Sequence, residues 1–176
     1  MSPLDQIIQR RYSPRAFSTE DIPVHLLDQL WEAARKAPSS FNEQPWRFIY
    51  AQHSDEEAFN RILSTLSQKN QSWAKEAGVL MVVATKNSFS HTGAPNRHAW
   101  YDAGAAVNTL VLKATELDLY ARQMAGFDPQ QARELLQIPQ EYEVVVALAL
   151  GFKAKNDRLD KPRKTADEFV FKGKFG

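Results

Sequence analysis

Val79-Leu80-Met81-Val82-Val83-Ala84-Thr85 is a continuous apolar, β-branched run. A strand with one wet face alternates polar and apolar side chains. This run offers no face to water, so it reads as a buried central strand. The rest of the chain is arranged around it. Upstream, Arg47 to Gln52 alternates enough to be a strand, and Phe59, Ile62, Leu63 and Leu66 have the spacing of an amphipathic helix. Downstream, Asn87 to Arg97 is a loop rich in Ser, Gly, Pro and Asn, and His98 to Leu117 is the longest helix. Its face Ala103, Ala106, Val107, Leu110, Val111 and Ala114 is apolar, and Gly104 with the alanines admits a second backbone at close range. This helix is therefore a candidate for the middle of a dimer. Leu119 to Met124 follows as a short strand, then a turn over Gly126 to Pro129. Asp128 is placed to cap a helix over Pro129 to Leu136, and a strand over Glu143 to Leu150 ends at Gly151.

The N-terminal part is helical. Leu4, Ile7 and Ile8 mark a short helix running into Arg10 and Arg11. A second helix has Pro23 in its first turn, Asp21 near its cap and the stripe Leu26, Leu27, Leu30, Trp31 and Ala34. Pro38 ends it, because a residue before proline is pushed out of the α region. Beyond Phe152 the tail is basic and polar, with one strand-like piece at Glu168 to Phe171. Strands and helices mix without strict βαβ alternation and no linker or repeat breaks the chain. The expectation is an α+β fold with one mixed sheet, in a single domain over residues 1–176.

Composition removes several function classes. The absence of Cys excludes disulfides, thiolate metal sites, iron–sulfur ligation and a cysteine nucleophile. A formal net charge of +1 argues against a polyanion partner such as nucleic acid, so any anion site must be a local cluster. MSPLDQIIQRR lacks the apolar core of a secretory signal, and the run from Val79 is too short to span a bilayer, so no membrane association is expected and the cytoplasm is the expected location. Gly-x-Gly-x-x-Gly and Walker patterns are absent. His25, His53, His91 and His98 lie far apart. His98 and Asp102 share a helical face but read as a surface contact, and no metal is expected.

Two segments carry chemistry. Arg10-Arg11-Tyr12-Ser13-Pro14-Arg15-Ala16-Phe17 carries three guanidiniums and a hydroxyl within six residues. A guanidinium fork matches phosphate oxygens two at a time, and an anion would relieve the mutual repulsion; a solvated basic surface is the competing reading. Ala37-Pro38-Ser39-Ser40-Phe41-Asn42-Glu43-Gln44-Pro45-Trp46 is a loop dense in short polar groups and stiffened by two prolines. Ser39, Ser40, Asn42 and Gln44 suit the mixed polarity of a heterocycle edge, though taken singly the segment reads as an ordinary capped loop with Trp46 in the core.

Together the two segments resemble the FMN-dependent nitroreductase family: Arg-x-Ser-x-Arg-x-Phe, then Pro-Ser-Ser-x-Asn-x-Gln-Pro-Trp. The resemblance continues in order through Asn70, Gln123-Met124-Ala125-Gly126-Phe127-Asp128, Ala149-Leu150-Gly151 and Lys161-Pro162-Arg163, and so covers nearly the whole chain. It implies a mostly antiparallel sheet flanked by helices in an intertwined homodimer, with FMN at the subunit interface. It implies that Arg11, Ser13 and Arg15 meet the phosphate, ribityl chain and pyrimidine edge, that Tyr12 adds contacts, and that Lys161 and Arg163 complete the phosphate site. Pro38, Ser39 and Ser40 would reach the flavin from the partner, with Asn42 and Gln44 ordering their loop. Asn70 would bond the flavin ring, and Met124, Ala125 and Gly126 would pass over one flavin face. Phe41 and Trp73 are read as aromatic walls of the substrate pocket, and Trp73 stands where many relatives carry a lysine.

The implied chemistry is a ping-pong cycle. NAD(P)H reduces FMN by hydride transfer to flavin N5, and a small planar acceptor such as a nitroaromatic or quinone is then reduced. No side chain is assigned as a catalytic acid or base. The alternatives are another flavin reaction on the same scaffold, such as reductive dehalogenation or flavin breakdown, and a non-catalytic flavin- or anion-binding module.

Overall fold

The computed structural model describes residues 1–155, 158 and 161–175. The elements run α1 (Pro3–Arg10), α2 (Val24–Ala34), a 3-10 turn (Ser40–Asn42), β1 (Trp46–Gln52), α3 (Glu56–Ser64), α4 (Gln68–Ala74), β2 (Val79–Lys86), α5 (Ala99–Glu116), β3 (Tyr120–Met124), α6 (Pro129–Leu135), β4 (Tyr142–Gly151) and a second 3-10 turn (Ala166–Glu168). The strands form one sheet in the order β1-β2-β4-β3. Ile49 faces Val82, Val82 faces Ala147 and Gln123 faces Leu148, all in antiparallel register. The expected α+β fold is therefore present. Its sheet is antiparallel throughout, with no parallel pair among the described residues.

The apolar run β2 has a strand on each side, and it divides its side chains between two cores. Leu80, Val82 and Ala84 point to a layer with Phe59, Ile62, Leu66, Met124 and Ala132, contributed by α3, the following turn, β3 and α6. Val79, Met81 and Val83 point to a layer with Leu27, Leu30, Val107, Leu110 and Val111 from α2 and α5. Burial on both faces is why this strand needs no polar alternation. Each fully buried Leu or Val contributes on the order of 1.5–3 kcal/mol relative to an exposed one.

Local chemistry explains most element ends. Ser2 caps α1 in a reciprocal capping box with Asp5, and Asp128 accepts from Gln130 and Gln131 at the start of α6, as its position predicted. At α2 the cap is Pro23 itself, with no side-chain bond, while Asp21 accepts instead from the Ser54 backbone N–H at 3.1 Å. Helix α3 stops at Ser64, so Leu66 belongs to a bridge with Phe127 and not to the helix. Helix α4 was not foreseen: its sequence QKNQSWA has no apolar stripe. The strand-like piece at Glu168 to Phe171 is corrected to a 3-10 turn, because Thr165 and Glu168 form a capping box.

Candidate active site

The basic N-terminal segment is held against the other end of the chain. After β4 the backbone runs antiparallel to it: Ser18 N–H donates to Phe152 O at 2.9 Å, Ala154 N–H to Ala16 O at 3.0 Å, and Phe17 bridges Lys153. Tyr12 packs edge-on against Tyr120 of β3, ring centroids 5.1 Å apart. Lys153 lies over the Tyr120 ring, at 5.0 Å from its centroid. The Arg158 guanidinium sits over Tyr12 at 5.9 Å. From β3, Arg122 donates to Ser13 O at 2.5 Å and spans the Trp73 ring at 5.4 Å. Trp73, half-buried, stacks on Phe17.

Arg11, in the same segment, is half-buried. Burial pulls its guanidinium below the ordinary arginine value, and the nearby charges of Arg163 and Arg158 pull it the same way. The charges of Arg158 and Arg163 thus bear on the half-buried guanidinium of Arg11 and oppose it. Such an arrangement favours an anion with several oxygen acceptors. Lys161 is exposed, as are Ser13 and Arg15.

The second segment is fastened to a different element. Ser40 N–H donates to the Asp102 carboxylate on α5 at 3.0 Å, and Gln44 N–H to Ser39 Oγ at 3.0 Å. Gln44 Nε2 donates to Asn42 O at 3.1 Å. Asp102 is only 4% exposed, which corrects its reading as a surface partner of His98. Glu43 accepts from the Ser90 backbone N–H at 2.9 Å and its hydroxyl at 2.5 Å. Those Ser90 bonds, with the charges of His91 and Lys86, hold the Glu43 carboxyl below the usual carboxylate range. So pinned, the loop keeps Phe41, Asn42 and Gln44 at positive φ (53°, 56° and 49°). Outside glycine that backbone state persists only where surrounding contacts impose it. Phe41 is left 81% exposed, edge-on to Phe89 and near His91. Pro38 is exposed at the start of the loop.

The third part is the turn after β3. Gly126 O accepts from Ser67 N–H at 2.9 Å and from Asn70 Nδ2 at 2.9 Å. A Cβ at Gly126 would lie 2.8 Å from Asn70 Nδ2 and 3.1 Å from Ser67 Oγ, so only glycine fits without displacing them. Met124 is buried, whereas Ala125 and Gly126 are exposed beside a cavity of about 450 Å³ lined by Thr65 to Ser67, Gly126 to Pro129 and Gln131.

The structure therefore links Tyr12, Ser13 and Trp73 through Tyr120, Phe17 and Arg122, sets the charge of Arg163 to bear on Arg11, and joins Asn70 to Gly126. It fastens Ser39, Ser40, Asn42 and Gln44 to α5 and to the turn at Ser90. Sequence reasoning missed Arg122, Arg158 and Asp102. For Asp102 a signal existed: Ala99, Ala103 and Ala106 flank it at helical spacing, so it falls on the buried stripe. Arg122 and Arg158 gave no such signal, since their partners are distant in sequence.

Comparison with known proteins bears on the fold and the family of the chain. The nitroreductase family profile matches residues 8–71 and 50–152. A solved structure described as an oxidoreductase containing FMN superposes with a TM-score of 0.89 at 34% identity, covering 99% of this chain and 94% of the other. An NADH dehydrogenase of Thermus thermophilus is 26% identical over 83% of this chain and 84% of its own length. Iodotyrosine deiodinase 1 of Rattus norvegicus is 24% identical over 94% of this chain and 67% of its own length.

Proposed function

The chain belongs to the nitroreductase family, and from that membership we propose that it is an FMN-dependent NAD(P)H oxidoreductase acting on planar acceptors such as nitroaromatics and quinones. The observation that carries this reading is the antiparallel pairing of residues 16–18 with 152–154, which sets the basic N-terminal segment beside the stretch leaving β4; the charge of Arg163, in the same cluster, bears on Arg11. A phosphate monoester dianion suits that cluster, and Gly126 with Asn70 leaves a close backbone approach for a flat ring. The residues present fit FMN on both counts.

Bound FMN would accept hydride from NAD(P)H and pass it to the acceptor in a ping-pong cycle. The protein's part is binding and orientation. Arg11, Arg163 and Lys161 hold the phosphate, with Ser13 and Arg15 along the ribityl chain and pyrimidine edge. Tyr12, braced by Tyr120, supports this segment. Asn70, whose amide already steadies the Gly126 carbonyl, and the Met124-Ala125-Gly126 turn flank the ring. Pro38, Ser39 and Ser40 serve the site of a second copy, and the Asp102 carboxylate fixes their loop. Phe41 and Trp73 stand as aromatic walls.

A homodimer is supported by apolar surface that one copy leaves uncovered. Leu4 and Ile8 of α1, Tyr101 of α5, and Phe169, Val170 and Phe175 of the tail are all exposed. The whole chain acts as one FMN-binding domain in this reading. Among the described residues no helix is long and apolar enough to cross a membrane.

The likeness to iodotyrosine deiodinase supports a second reading, reductive dehalogenation on the same scaffold. Anaerobic mixing of the FMN-loaded protein with NADH or NADPH, followed by a nitroaromatic, a quinone or a halotyrosine, separates the readings. The first predicts bleaching by a nicotinamide and recolouring by nitro or quinone acceptors. Recolouring by the halotyrosine alone supports the second, and failure to bleach contradicts NAD(P)H as donor.

A further inference from the structure

We propose that Glu43 latches the hairpin of residues 87–96 onto the loop of residues 39–44, and that the resulting face of Phe41, Phe89 and His91 takes flat aromatic acceptors beside the flavin ring of a second copy. The inference rests on the acceptor reading above and adds Phe89, His91 and Glu43, which neither the motifs nor the family likeness assigned.

Residues 87–96 read as an irregular loop in the sequence, yet they pair with themselves. Phe89 N–H donates to Ala94 O at 2.9 Å and Asn96 N–H to Asn87 O at 2.7 Å, while Ser88 bridges Pro95 and Gly93 turns the tip at φ 72°. One Glu43 carboxylate oxygen accepts both the N–H and the hydroxyl of Ser90, and the other lies 3.9 Å from His91 Nδ1. The Glu43 side chain is 7% exposed, so little water competes for those bonds. This latch sets two hairpin rings against Phe41. The centroids are 5.4 Å apart for Phe41 and Phe89, 5.8 Å for Phe41 and His91, and 5.6 Å for Phe89 and His91. Each pair is within ring-contact range, so the three close a triangle. Phe41 gives nothing to the core: it is exposed, yet held at φ 53° and ψ 23°, where a bulky side chain is strained. Strain that yields no burial points to a use for the presented ring. A flat aromatic molecule gains a stacked or edge-on partner there, whereas a compact inorganic acceptor gains none. His91 adds ring nitrogens that can hydrogen-bond a nitro or quinone oxygen. Ser39 and Ser40, next in the chain, are the residues proposed to reach the second copy's flavin, which sets the three rings beside it.

The test follows, by stopped flow, the reoxidation of FMN-loaded protein by a naphthoquinone and by ferricyanide, after reduction with stoichiometric dithionite. Phe89→Ala is expected to lower the preference for the naphthoquinone over ferricyanide about tenfold, through the half-saturating concentration and not the limiting rate. Glu43→Ala should lower it as far, and the two substitutions together no further, since both act through one hairpin. Glu43→Gln, which keeps an oxygen for Ser90, should recover most of the loss. A preference unchanged in Phe89→Ala overturns the three-ring face. So does an equal fall in the limiting rate for both acceptors, which is damage to the flavin site. Losses that add in the double variant overturn the latch. A wild-type protein that takes up no FMN, or whose reduced flavin neither acceptor recolours, defeats the underlying oxidoreductase reading instead.

Discussion

Asp102 shows how one side chain sets a functional loop. It is buried on α5, and its carboxylate receives the Ser40 N–H, so its removal strands a loop donor and frees the residues held at positive φ. Asp102→Ala is expected to lower stability by about 1–3 kcal/mol, read from urea unfolding; a change within experimental error would show that the loop holds itself. Glu43 adds a pH-dependent anchor. Its folded pKa is depressed, so its contribution is complete above the unfolded carboxylate value of about 4.3 and is lost as pH falls through the folded value. Thermal melts of wild type and Glu43→Gln should therefore differ at neutral pH and converge in acid; a gap independent of pH would contradict this. Gly126→Ala meets only the ends of the Asn70 and Ser67 side chains, which can move. Its stability cost is expected to be small, about the worth of the one Asn70 hydrogen bond, roughly 0.5–1.5 kcal/mol. Its FMN affinity should fall more, because the displaced Asn70 is a ring contact in the proposed site. Fluorescence titration checks this, and unchanged affinity would remove Asn70 and Gly126 from the ring site.

At the level of elements, legibility followed hydrophobic pattern. β2, β4, α2 and α5 bury long apolar faces, and their composition announced them. α4 is tied by the Asn70 and Gln71 amides to the Gly126 and Leu66 carbonyls, and the tail turn at Ala166–Glu168 by its capping box, and neither leaves a periodic signature. The same division runs through the site. Arg11 and Ser39 stand in recognisable short motifs. Arg122 and Arg158 depend on contacts with Ser13 and Tyr12 that arise only when β3 and the tail fold over the N-terminal segment. Leu110, fully buried between α5 and the sheet, carries a direct energetic test. Leu110→Ala should cost about 2–5 kcal/mol in chemical denaturation; a loss below this range would mean that the α2–α5 layer closes around the cavity.

Across the whole molecule, the antiparallel pairing of residues 16–18 with 152–154 sets the N-terminal segment beside the stretch that leaves β4. The catalytic reading depends on that convergence more than on any single motif. In the proposed homodimer, the apolar side chains that α1, α5 and the tail leave exposed would be covered by the second copy. The most direct measurement is the absorption spectrum of the purified protein, with the chromophore identified after denaturation, for wild type and for the double variant Arg11→Ala with Arg15→Ala. A yellow wild type that releases FMN, beside a variant that fails to retain it, is the expected result. A colourless wild type that takes up no added FMN, or a double variant with undiminished flavin, would contradict it.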